Sequence, residues 1–174
     1  MRDDKGLDEE VVYAWHPNLL PPAGMRIGQV YGYVFDDLGR VVVHYDQGPG
    51  AWNLPGGSPE PEDGGDPVVT LRREVWEEVQ ITITEPVYIG YQSVHRPGAE
   101  PYAQLRMVAR LDQVGAREVD PAAGRVHVRR RCPFPVAVDL LGWGAAAVPQ
   151  LNSALQAAAG LGVPVDEAAQ TCTD

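Results

Sequence analysis

Between Asp66 and Ile81 the chain carries a segment with two chemically opposed faces, and this segment limits what the whole can fold into. Asp66-Pro67 has the form of a helix start: an acid that can accept N–H groups, then a proline whose missing N–H is no loss there. The spacing predicts a helix running to about Val79. At about 100° per residue, Val68, Leu71, Val75 and Val79 fall within an arc of about 80° and make a compact apolar stripe. Glu74, Glu77 and Glu78 share a neighbouring arc of about 100°, with Glu78 about 20° from Leu71, at the edge of that stripe. Acids that were merely solvated would sit opposite it. Three carboxylates crowded beside a core repel one another and need a compensating charge. Arg72 and Arg73 can supply it, or a divalent cation can, and an all-oxygen donor set selects Mg²⁺ or Mn²⁺. The helix by itself leaves both readings open.

Around this helix the pattern is that of a mixed α/β protein. Val30–Phe35 and Arg40–Tyr45 are β-branched and aromatic runs about Asp36-Asp37-Leu38-Gly39, a hairpin signal. Strands are predicted at Ile81–Ile83, Val87–Val94, Ala103–Leu111 and, more weakly, Arg125–Arg131, where Val126 and Val128 alternate with His127 and Arg129. Leu151, Leu155 and Ala158 set a last helix over Val148–Ala159. No regular βαβ alternation is present. The 174 residues suit one domain over residues 25–160, with residues 1–24 an extension and residues 161–174 a flexible tail.

The charge balance narrows the function. Fourteen basic against twenty-four acidic residues give a net charge of −10, so the chain has no global field for a nucleic-acid backbone, and DNA is excluded as main partner. Lys5 is the only lysine and no Ser or Thr follows Lys5-Gly6, which excludes a Walker-type phosphate loop. Cys132 and Cys172 form no Cys-x-x-Cys and suit a reducing cytoplasm. The acidic start has no apolar run of signal-peptide type. The uncharged stretch from Leu140 to Val165 is too polar and broken to span a membrane. The four histidines are scattered, and no serine sits in a nucleophile elbow.

The stretch from Trp52 to Ile81 resembles the Nudix box, Gly-x5-Glu-x7-Arg-Glu-U-x-Glu-Glu-x-Gly-U with U a bulky aliphatic. Gly57 opens it, and Arg73, Glu74, Val75, Glu77, Glu78 and Ile81 match its helical half; the lead-in Trp52-Asn53-Leu54-Pro55-Gly56 is also of the family's kind. The resemblance implies a Nudix-like α/β/α sandwich with a mixed sheet. It implies hydrolysis of a nucleoside diphosphate linked to another moiety, by water activated on Mg²⁺ or Mn²⁺; the alternative is a Nudix-fold module that binds a nucleotide without cutting it. It also implies roles: Glu77 and Glu78 as metal ligands, Glu74 as further ligand or base, Arg73 as the group orienting Glu74, and the Gly57 carbonyl completing the coordination. Family members often recruit one more acid from outside the box, for which Glu118 and Asp120 are the downstream loop candidates here. The partner is a small nucleotide derivative, and a homodimer is compatible with the sequence. Pro97, sixteen residues past Ile81, has the spacing found in members acting on ADP-ribose-type substrates.

Two positions depart from the box. Eight residues before Arg73, where the box has Glu, stands Gly65; counting from Gly57 instead reaches Asp63, which implies a loop two residues longer and an acid, Asp63 or its neighbour Glu62, that takes over a structural role. Gln80 stands where the box has glycine, a place where a helix ends left-handed and a side chain adds steric cost.

Overall fold

The computed structural model describes residues 10–165 and 170–173. The chain forms a mixed sheet from Val12–Pro17 (β1), Arg26–Phe35 (β2), Arg40–Asp46 (β3), Ala51–Asn53 (β4), Gly56–Gly57 (β5), Ile81–Ile83 (β6), Val87–His95 (β7), Tyr102–Val114 (β8), Val128–Pro133 (β9) and Cys172–Thr173 (β10). Three helices cover it: Pro67–Val79 (α1), Phe134–Leu141 (α2) and Val148–Gly160 (α3). The strand order is β1-β7-β8-β2-β3-β9-β10, with β4 beside β3, β5 beside β2 and β6 beside β8. The β2–β8 pair is parallel and the other pairs are antiparallel.

Alternation along β2 explains the layering. Val30 and Val34 face α1 and pack with Leu71, Val75 and Val79. Tyr31, Tyr33 and Phe35 face the other way, into a second core with Phe134, Leu151 and Ala158 of α2 and α3. Both faces of the sheet are therefore buried, and the architecture is the α/β/α sandwich expected from the sequence. Gly32, between those valines, lets Leu71 lie directly on the strand, since a Cβ there would meet Leu71 Cδ1 at 3.0 Å.

The hairpin, the first and last helices and the strands from Ile81 to Leu111 lie where the sequence places them, within a few residues at their ends. Four features differ. The apolar run in the extension becomes β1, all of it paired with β7 from Val12↔His95 to Pro17↔Gly90. The tail returns at Cys172–Thr173 to pair with Arg130 and Arg131. Helix α2 has no clear sequence signature, because it has only eight residues between Pro133 and Gly142 and carries Pro135 in its first turn. The start of β9 and the two residues before it also turn the unexpected side inward: Val126 and Val128 are about 40% exposed, whereas His127 and Arg129 are buried. No helix among the described residues is long and apolar enough to cross a membrane.

Candidate active site

The approach to α1 is set by one short strand, β5, that depends on both of its glycines. At Gly56, φ is +148°, and a Cβ would collide with the Val30 carbonyl of β2, so only glycine lets β5 pair there. A Cβ on Gly57 would stand 2.5 Å from the Glu74 carboxylate. The Gly56-Gly57 backbone thus lies directly against the acidic edge of α1.

Arg73 organises the acids on that edge. Its Nε and Nη2 donate to Asp63 Oδ1 and Oδ2, each at 2.9 Å, a bidentate pair. Its Nη1 donates to Glu74 Oε1 at 3.0 Å and to Glu77 Oε2 at 3.1 Å, and its Nη2 also reaches the Ser58 carbonyl. Asp63 is buried, accepts the Thr70 hydroxyl at 2.8 Å and the Glu60 N–H at 2.8 Å, and is held well below the usual carboxylate range, chiefly by Arg73. Glu62 is exposed, so of the two neighbours it is Asp63 that meets the arginine. The extra length of the loop is taken up by Gly64 and Gly65, both left-handed at φ +64° and +78°, which turn the chain back to the Asp66 N-cap.

Glu78 stands apart from this cluster. Its Oε2 accepts the Gly56 N–H at 2.8 Å and lies 3.3 Å from His44 Nε2 of β3. Burial pushes its carboxyl up to about 9 against the pull of the Gly56 N–H, and burial likewise raises Glu74. His44 is lowered to about 4 by its own burial and by His127, so at neutral pH it meets Glu78 as an uncharged imidazole. The His127 ring sits edge-on to His44 at 5.1 Å between centroids, and its Nε2 meets Asp120 Oδ2 at 2.8 Å. Asp120 also accepts the N–H groups of Ala122 and Ala123, which with His127 outweigh its burial and lower its pKa. Asp120 is thus a buried partner of His127, whereas Glu118 is exposed on the same loop.

Gln80 does end α1 left-handed, at φ +48° and ψ +50°. Its side chain answers the strain: Nε2 donates to the Trp76 carbonyl at 3.2 Å and the Glu77 carbonyl at 2.8 Å, and Oε1 accepts from Arg117. Arg129 donates to the Val79 carbonyl at 2.6 Å. A buried cation at a helix C-terminus is electrostatically favourable, which is why this arginine turns inward and away from any solvated phosphate-binding edge.

The donor chemistry at Glu74, Glu77, Glu78 and Gly57 suits a hard divalent cation. All four offer oxygen, the donor type such a cation takes. As described, the carboxylates are engaged by Arg73 and the Gly56 N–H, and no three acidic, histidine or cysteine side chains among the described residues converge as a cage. Beside the box, on the α3 face of the sheet, lies a cavity of about 390 Å³ walled by Trp15, Tyr31, Trp143 and Arg106. Two of its lining residues border the box along the chain or the sheet: Tyr31 pairs in register with Gly56, and Asn53 stands three residues before Gly56. Nothing local in the sequence marks these wall residues, which come from β1, β2, β8 and the turn before α3. Pro97 lies in an exposed turn after β7.

Comparison with known proteins places this arrangement. The profile of the NUDIX domain matches residues 25–135, more than half of the chain, and the protein belongs to the Nudix hydrolase family. Similar solved structures include the Bacillus subtilis pyrophosphohydrolase BsRppH (14% identity, 85% of this chain and 90% of that one, TM-score 0.56). Others are a NUDIX hydrolase from Nitrosomonas europaea (16%, 76% and 89%, TM-score 0.56) and a C. elegans Ap4A hydrolase in a binary complex (17%, 77% and 98%, TM-score 0.55). At these identities the likeness is one of fold. No curated protein sequence matches the chain.

Proposed function

We propose that this Nudix hydrolase cleaves the pyrophosphate linkage of a nucleoside diphosphate joined to another moiety, with Mg²⁺ or Mn²⁺ held by Glu74, Glu77, Glu78 and the Gly57 carbonyl. The observation that carries the reading is the placing of two α1 carboxylates against the Gly56-Gly57 backbone, Glu74 at Gly57 and Glu78 at Gly56, with Glu77 tied to Glu74 through Arg73 Nη1. A bound divalent cation neutralises pyrophosphate charge and acidifies water. The chain's own residues do the rest. Arg73 fixes the Glu74 carboxylate through Nη1, which suits Glu74 to take a proton from water or to serve as a further ligand. Gly56 orients Glu78 through its N–H, and Asp63 keeps Arg73 in place from behind. The similar solved structures include a pyrophosphohydrolase and an Ap4A hydrolase, which supports a phosphoanhydride substrate without naming one.

The test is a phosphate-release screen over nucleoside triphosphates, dinucleoside polyphosphates and nucleotide sugars, with Mg²⁺, Mn²⁺ or chelator present. Turnover of at least one free nucleotide derivative, abolished by chelator, is expected. Binding without turnover of any compound would make the protein a nucleotide-binding module instead.

A further inference from the structure

Arg106 is the one formally charged side chain in the wall of the cavity beside the box. It is 3% exposed and lies over the rings of Tyr31 and Trp143, 4.7 and 5.8 Å from their centroids. Among the described residues no carboxylate pairs with it, and burial lowers its pKa. The charge is stabilised by amide oxygens instead. Nε donates to Gln150 Oε1 at 2.7 Å, and Nη2 donates to Gln92 Oε1 and Gln104 Oε1 at 3.0 Å each.

This arrangement fixes the polarity of the whole wall. A guanidinium can only donate, so each glutamine must turn its oxygen toward Arg106 and its N–H groups elsewhere. Gln104 spends its amide N–H on Gln29, at 2.5 Å. Gln150 Oε1 also accepts the Tyr33 hydroxyl, and Asn53 Oδ1 accepts the Leu54 N–H. The N–H groups of Gln92 and Gln150 are left as donors with no acceptor among the described residues, and the buried Trp15 Nε1 likewise has none. The cavity therefore offers flat aromatic faces and N–H donors, and each amide oxygen on its wall already accepts at least one hydrogen bond. A flat ligand that turns a carbonyl oxygen toward these N–H groups satisfies them; an amine in that same place would set donor against donor and leave both unpaired.

Resting on the hydrolase reading for the neighbouring box, we infer that this cavity takes the base of the substrate and selects a base with a carbonyl at the purine C6 or pyrimidine C4 position, as in guanine and uracil. Adenine and cytosine, which carry an amine there, are disfavoured. A volume of about 390 Å³ falls in the range of small-molecule sites and admits a base stacked on a tryptophan. Arg106 and the three glutamines are the specificity-determining residues.

Nucleoside monophosphates test this without turnover, because they hold no phosphoanhydride bond. Titration of the intrinsic tryptophan fluorescence of the whole chain with GMP, UMP, AMP and CMP is expected to give Kd values about tenfold or more lower for GMP and UMP than for AMP and CMP. Gln92→Glu replaces the donor by an acceptor at a half-buried site while still pairing with Arg106, and should bring that ratio to about one or invert it. Trp143→Leu should weaken all four nucleotides alike. Equal affinities in the wild type, a preference for AMP and CMP, the absence of binding by all four, or a preference unmoved by Gln92→Glu would each overturn the inference. A base preference in a protein that cuts no phosphoanhydride would overturn the hydrolase reading and leave the cavity assignment standing; hydrolysis indifferent to the base would do the reverse.

Discussion

Arg73 shows how a single side chain distributes roles among its neighbours. Its fork is saturated by Asp63 on one side and shared with Glu74 and Glu77 on the other, so Asp63 belongs to the support and the glutamates to the face presented to solvent. Replacing Glu77 or Glu78 by Gln removes one charge from the proposed cation site, and kcat/KM is expected to fall 10²–10³-fold, or ~3–4 kcal/mol. Glu74→Gln should fall comparably or slightly less. Asp63→Asn turns an amide N–H toward the guanidinium, and should cost about 2 kcal/mol of stability while kcat/KM stays within about tenfold of wild type. A dead Asp63→Asn beside a fully active Glu77→Gln would put the cation elsewhere. Because the folded state holds Asp63 below its ordinary pKa, its contribution is complete above about pH 4 and is lost as the pH falls further. Thermal melts between pH 5 and pH 2.5 should therefore show a steeper acid loss in the wild type than in Asp63→Asn.

The two ends of α1 solve the same problem, unpaired backbone groups, by different means. At the start, Asp66 accepts the Val68 N–H at 2.8 Å and Pro67 occupies the first turn, as the sequence pattern requires. At the finish, Gln80 takes a conformation that glycine adopts freely and offsets the strain by capping two carbonyls with its own amide. Gln80→Ala keeps the strained backbone and loses both caps, for an expected loss of about 1–3 kcal/mol in denaturant unfolding. Gln80→Gly loses the caps but relieves the strain, and should unfold at a midpoint between alanine and wild type. A glycine variant less stable than the alanine variant would show that φ strain is not what the amide compensates. Helix α2 and the segment leading to β9 carry the opposite lesson. Their sequence periodicity is weak or misleading, because His127 and Arg129 turn inward to Asp120 and to the end of α1, partners far off in the chain or on another element.

For the whole molecule, a cation held on the acidic edge of α1 would be coupled to folding. If Glu74, Glu77 and Glu78 hold it only in the folded state, Mg²⁺ or Mn²⁺ at a hundredfold excess over its Kd stabilises the protein by about 2.7 kcal/mol. For a domain of this size that corresponds to a rise in Tm of about 5–10 °C between chelator and saturating cation. The Glu77→Gln, Glu78→Gln double variant should show almost no rise. An unchanged wild-type Tm would remove the cation from this edge. On the proposed function the same linkage would let an acidic protein take an anionic substrate, the net charge of −10 being offset locally by the cation that accompanies the pyrophosphate.

What the sequence determined by itself is the part of the molecule whose partners are close along the chain. The α1 stripe and its acidic arc, the N-cap at Asp66, the hairpin about Asp36–Gly39 and the approach of Gly57 all follow from spacing, since helix and hairpin geometry convert short separations directly into neighbours. The box is legible for the same reason. What only the tertiary structure decided is everything assembled across the sheet. The parallel pairing of β2 with β8 brings Tyr31 opposite Arg106, and β1, drawn from the extension, brings Trp15 to the same cavity. Folding back of α3 places Gln150 on that arginine, 44 positions away in sequence. No local pattern encodes such contacts: a strand's alternation says which residues share a face, while the register and order of the strands decide which other residues they meet.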